Sequence, residues 1–191
     1  LETKLGTWPH SGLVAYIAGS GGMEYSGATI TSNSALGHEI THSYFARGVM
    51  PQNGNSGWID EAIASWRDNG YQSHSTPRFA STNMSGHSEY RRYTDRRAYT
   101  QGASFMAYLN SKLEPQGGLA PFLKDFHQNY THTTISTKLF QKEIENYSGI
   151  DFKQDFATYI FGNNRINSNK ELTKENPYHP KLSKKQLADL L

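Results

Sequence analysis

The chain contains no cysteine among its 191 residues. Disulfides and thiolate metal sites are therefore excluded, while the compartment stays open. It also lacks a long apolar run: nothing approaches the roughly 18 consecutive residues that a membrane-spanning helix requires. Nor is there a surplus of charge. Nineteen Lys and Arg oppose seventeen Asp and Glu, for a net charge of +2. Apart from Arg91, Arg92, Arg96 and Arg97 the cations are scattered, so there is no basic stripe to suit nucleic acid. The opening "LETKLG" shows neither an initiator Met nor a signal peptide, the expectation for an excised domain or mature fragment of a longer protein. Apolar residues make up a modest 36%. A chain of this length can still bury roughly 70% of its unfolded surface as one domain, with Tyr, Ser and Asn left to line a wet cleft.

Turn signals divide what is there. Residues 12–18 (GLVAYIA) are β-branched and aromatic enough for a strand, 19–22 (GSGG) mark a turn, and 23–31 (MEYSGATIT) read as a second strand. A helix is expected over 34–47, stopped by Gly48. After a loop over 50–57, a second helix over 57–68 would be capped by Ser56 and closed by Asn69 and Gly70. Residues 69–93 read as loop. Apolar residues then return at helical spacing over 95–113 (Phe105, Met106, Leu109, Leu113), and further helices are expected near 119–129, 136–147 and 151–161. Beyond them lies a polar, lysine-bearing stretch that ends in SKKQLADLL, a short terminal helix. The order predicts an α+β fold, a short N-terminal sheet followed by a mainly helical part. Its catalytic unit would cover 1–163, with a polar extension over 164–191.

The chemistry concentrates in residues 37–44, GHEITHSY. On a helix, residues i and i+4 share a face, so His38 and His42 present their imidazoles one turn apart and are placed to share a cation. Glu39 flanks the same position and can take a proton from a water activated there. A catalytic zinc has three protein ligands and a water, so a third ligand is required. A histidine six residues after His42 would be Gly48 here, which removes that arrangement. A glutamate on the next helix meets the need: Glu61 follows His42 after eighteen residues, inside GWIDEAIASW. That helix can return antiparallel to the first. Asp68, seven residues on and on the same face, can accept the other ring N–H of a ligating histidine; alternatively it is a solvated acid at a helix end.

This pattern, HExxH followed by eighteen residues and Glu, resembles the gluzincin metallopeptidases of the aminopeptidase N type, the family that includes leukotriene hydrolase. Three further stretches agree. GGMEYSGATI resembles the family's G-x-M-E-N strand in the G-M-E-Y form of some bacterial relatives, with Tyr25 in the place of Asn. WIDEAIASWRD (58–68) resembles W-L-N-E-G-F-A-x-Y-x-E, with Asp60 for Asn, Ala62 for Gly and Asp68 for the final Glu. YTQGASFMAYL (99–109) resembles the Y-x-K-G-A helix start, with Gln101 for Lys, and residues 122–162 are similar to the closing helices.

The likeness spans about residues 10–162 and implies a thermolysin-like catalytic domain without the family's N-terminal β-domain or its far C-terminal helical domain. It implies one Zn²⁺ on His38, His42 and Glu61, with Glu39 as general base and Tyr99 as hydrogen-bond donor to the oxyanion. It also implies that Glu24 binds the free α-ammonium of a peptide substrate and that Gly21 and Gly22 offer backbone to it, with Tyr25 beside them in the pocket. The implied activity is removal of N-terminal residues from peptides. Endopeptidase or epoxide hydrolase activity at the same site, and a silent zinc-stabilised scaffold, are the alternatives. His10, His74, His87, His127, His132 and His179 have no ligand spacing and read as surface or loop residues. Tyr25 and Tyr93 each either line the pocket or fill core. The arginines at 91–97 read as a solvated face, with a substrate carboxylate as their alternative partner.

Overall fold

In a computed structural model, which describes residues 1–52, 55–86 and 94–162, Val14–Ile17 (β1), Gly22–Tyr25 (β2) and Ala28–Thr31 (β3) form one sheet in the order β1-β3-β2. The expectations for His87, Arg91, Arg92, Tyr93 and His179 fall outside the described residues, as do those for the polar extension and its terminal helix. A short helix, α1 (Glu2–Leu5), precedes the sheet.

The single strand expected over 23–31 is instead a hairpin. Ser26 and Gly27 make the turn. Gly27 takes a φ of 71°, in the left-handed region that favours glycine, and a Cβ there would lie 2.9 Å from the Gly12 carbonyl oxygen. β3 pairs in parallel with β1 and antiparallel with β2, setting Thr29 opposite Glu24, and Ile30 opposite both Tyr16 and Met23. Strand alternation then sorts the side chains. Thr29 and Thr31 are buried on the inner face, the face that Gly22 and Glu24 share. Val14, Tyr16, Met23, Tyr25 and Ile30 stand exposed on the outer one.

The inner face packs on α2 (Leu36–Tyr44). This helix was expected to reach Arg47. It ends sooner because the chain folds back on its last turn, where the Arg47 N–H donates to the His42 carbonyl and the Val49 N–H to the Tyr44 carbonyl. A Cβ on Gly48 would fall 2.6 Å from the Tyr44 carbonyl oxygen, so glycine is needed for that close return. In the stretch read as loop, β4 (Met50–Pro51) pairs in parallel with β5 (Thr134–Ile135).

The remaining helices follow the apolar spacing closely: α3 (Trp58–Asp68), α4 (Ala103–Lys112), α5 (Leu119–Tyr130), α6 (Thr137–Ser148) and α7 (Lys153–Tyr159). Ser136 caps α6 by accepting the Leu139 N–H, and Gly149, with a φ of 71°, closes it. Ser56 does not cap α3 with its side chain. Its hydroxyl instead accepts the Thr137 N–H at 2.7 Å, tying the entry of α3 to the start of α6.

Trp58 sits at the centre of the core, edge-on to Phe105, Phe140 and Phe156, with its indole N–H donating to the Thr137 hydroxyl. All four rings are fully buried, and each contributes about 1.5–3 kcal/mol by leaving water. This core fixes α3, the helix that carries Glu61. His127, expected at the surface, is buried in α5 against Tyr44 and Phe45. It lies four residues after Leu123, on the helix's apolar face, and that position outweighs its polarity.

Candidate metal centre

α2 and α3 run antiparallel, since the later residue of one meets the earlier residue of the other. His38 Nδ1 lies 2.6 Å from Asp68 Oδ2, and His42 Nδ1 lies 3.5 Å from Asp60 Oδ2. Between these ends the two Nε2 atoms converge on a single carboxylate oxygen, Glu61 Oε2, at 3.1 Å from His38 and 3.5 Å from His42. The three ligand atoms lie within 4.8 Å of one another. The i, i+4 spacing thus brings the imidazoles to one spot, and their ring centroids are 4.8 Å apart.

The donor set fits a zinc-type cation. When Asp68 accepts the Nδ1–H of His38, that ring keeps its Nε2 lone pair for a metal. The local field also calls for positive charge. Burial disfavours protonated imidazole, yet the hydrogen bond to Glu61 and the neighbouring acids outweigh it. His38 is raised above its ordinary pKa and His42 to about 9. Burial likewise opposes the Glu61 carboxylate, but bonds from His38, His42 and Tyr99 hold its pKa far below the usual carboxylate range.

Glu39 is 7% exposed and lies against β2. A Cβ on Gly22 would stand 2.2 Å from Glu39 Oε1, so only glycine leaves room for this carboxylate. Burial raises the Glu39 pKa, and the charges of His42 and His38 partly offset the rise.

Tyr99 reaches the centre from an unexpected geometry. Residues Ala98–Gly102 form a π-helical turn ahead of α4, a local widening often found at functional positions. A Cβ on Gly102 would come 2.8 Å from Ala62 Cβ, so glycine lets this turn lie close against α3. The Tyr99 ring stacks parallel to His38, and its hydroxyl donates to Glu61 Oε1 at 2.7 Å. Burial and the adjacent Glu61 raise its pKa, which keeps the phenol protonated.

Two residues near the centre were not singled out from the sequence. Asp60, read only as a stand-in for Asn, is partly buried, with 14% of its side chain exposed, and burial pushes its pKa up to about 7 against the opposing pull of His42. Asp60 Oδ1 and His42 Nδ1 are both buried without a hydrogen-bond partner, and the 3.5 Å between Asp60 Oδ2 and His42 Nδ1 is longer than a good N–H···O bond. The signal was the i, i+4 geometry itself, since the ring facing Glu61 must turn its other nitrogen toward the preceding residue. Arg47 is the second. Its Nη2 donates to Glu24 Oε1 at 2.9 Å and to the Glu24 carbonyl at 3.3 Å. No local pattern could have linked these positions, because the contact spans 23 residues.

Glu24 therefore lies on the sheet face turned to α2, near the centre, with one oxygen engaged. Gly21 has a φ of 81° and accepts the Ser32 N–H, setting the turn into β2. Tyr25 does not join the group: alternation sends it to the outer face, 48% exposed. Arg97 pairs with Asp95 and donates to the Asn83 carbonyl, a structural contact. A cavity of about 370 Å³ lined by Trp66, Gln72, His74, Arg78 and Ser104 lies past the end of α3 and shares no residue with the candidate metal-binding group. Comparisons with protein-family models, with curated proteins and with solved structures found no match to this chain.

Proposed function

We propose that this chain is the catalytic domain of a zinc-dependent peptidase of thermolysin-like architecture, removing N-terminal residues from peptides. The observation that carries the reading is the convergence of His38 Nε2, His42 Nε2 and Glu61 Oε2, with Glu39 buried beside them. A zinc ion bound there supplies Lewis acidity and an activated water near neutral pH.

The chain's own groups divide the remaining work. Glu39 takes the proton of the attacking water and delivers it to the leaving amine. Its raised pKa suits a group that must both accept and return a proton. Tyr99 is 44% exposed and so accessible to substrate. Held as the neutral phenol, it turns its one O–H from Glu61 Oε1 to the oxygen that gains charge. The Gly21–Gly22 backbone lies along the approach, and Glu24 faces the substrate's amino end. Asp68, linked to Arg67 at 2.9 Å, holds His38 in its ligating orientation.

The test is metal analysis of the purified protein together with a panel of aminoacyl amides and N-blocked peptides. Stoichiometric zinc and turnover are expected, with a loss of about 10²–10⁴-fold in Glu39→Gln while zinc is retained. Near-normal activity in Glu39→Gln, or no zinc in the native chain, sinks the reading.

A further inference from the structure

Glu24 is the acid placed to receive a substrate's ammonium, yet a cation of the chain itself already holds it. Arg47 is fixed at both ends. Its backbone N–H donates to the carbonyl of His42 at 2.9 Å, anchoring it to the last turn of α2. Its Nη2 spans to β2 and is shared between the carboxylate and the carbonyl of the same residue, Glu24. The two side chains are 27% and 19% exposed, so solvent screens the pair only in part. Glu24 Oε2 has no hydrogen-bond partner among the described residues.

We propose that Arg47 is a specificity-determining residue, a built-in competitor for the substrate's α-ammonium at Glu24. The physical reason is charge arithmetic at one carboxylate. With Arg47 on Oε1, the pair is close to neutral. An incoming ammonium at Oε2 meets an acid whose field is largely spent and a guanidinium that repels it. A substrate with a blocked, uncharged amino end has no such handicap. The site therefore favours a free amino end over a blocked one only modestly, and Arg47 sets how modestly. This rests on the peptidase reading for its substrate class, but the competition itself is a binding property.

The experiment follows binding and turnover separately. Zinc-loaded protein is titrated by NMR with leucinamide and with N-acetyl-leucinamide, and hydrolysis of a free peptide and its acetylated form is measured in parallel. The native protein is expected to favour the free amine by less than about tenfold. Arg47→Gln, which removes the charge and keeps an amide donor, is expected to raise that preference by about fivefold. The rise should appear in the dissociation constant and in KM for free substrate, with kcat little changed. Arg47→Lys should keep the native ratio, and in a Glu24→Gln background the Arg47 substitution should have no effect.

A native preference for free amines above about tenfold overturns the proposal. So does an unchanged or falling ratio in Arg47→Gln, and so does failure of either probe to bind. The native ratio decides the question even if the Gln variant does not fold. If the binding ratio shifts as expected and neither peptide is cleaved, the hydrolase reading fails and the competition stands.

Discussion

Gly22 and Glu39 are in direct contact: a single methyl on the strand would stand 2.2 Å from the helix's carboxylate oxygen. This places Glu39, the proposed general base, beneath the strand that a substrate would follow on that proposal, and makes Gly22→Ala a mild change with a sharp expected effect. The added Cβ must push Glu39 into another rotamer, away from the reacting water. Turnover should fall at least about 10²-fold while zinc content stays unchanged. Steady-state kinetics with metal analysis on the same sample checks this, and an active Gly22→Ala protein would remove Glu39 from its assigned role.

Asp60 tests what His42 needs behind it. If Asp60 serves as a hydrogen-bond acceptor, Asp60→Asn can supply a carbonyl oxygen to the Nδ1–H of His42 without burying a carboxylate whose pKa already stands near 7. That variant should keep zinc affinity within about threefold, whereas Asp60→Ala should lose about 10–100-fold. Competition against a chromophoric chelator reads both. Equal losses in the two variants would show that the charge matters and the acceptor does not.

Metal occupancy should also appear in thermal stability. His38, His42 and Glu61, the proposed zinc ligands, come together only in the folded chain, so a zinc ion held there would stabilise the fold. At a free concentration a hundred times its dissociation constant it should add about 2.7 kcal/mol, or roughly 5–10 °C in Tm for a domain of this size. Calorimetry with and without chelator gives the shift, and His42→Ala should abolish it. A shift that survived His42→Ala would place the metal elsewhere.

His127 gives the fold an acid-sensitive point apart from the candidate metal site. Burial, followed by the charges of His132 and His10, lowers its pKa from 6.5 to about 4. Above pH 6.5 the ring is neutral in both folded and unfolded chains. As pH falls from 6.5 to 4 the unfolded chain takes up the proton and the folded one does not, so stability is lost through that window, by about 3 kcal/mol at most. Denaturant titrations from pH 7 to pH 4 should show a steeper loss in the native protein than in His127→Gln. Parallel slopes would mean that the ring titrates normally in the fold.

The amino-acid sequence by itself determined the main helices and which side chains would converge as the candidate metal site. The helical period of α3 through α7 and the His-Glu-His spacing on α2 are local properties, set by the 3.6-residue turn and by which face must leave water. The return of Glu61 was legible for the same reason, since one helix and a short loop fix its reach. Tertiary structure alone decided the rest. The hairpin break at Gly27 depends on the approach of Gly12, and the π-helical turn that delivers Tyr99 depends on the close seat of Gly102 against Ala62. The outward turn of Tyr25 follows from which face of β2 meets α2. The pairing of Arg47 with Glu24 joins residues that no local rule connects. Each of these is a contact between distant segments, and its energy exists only once the core around Trp58 has brought those segments together.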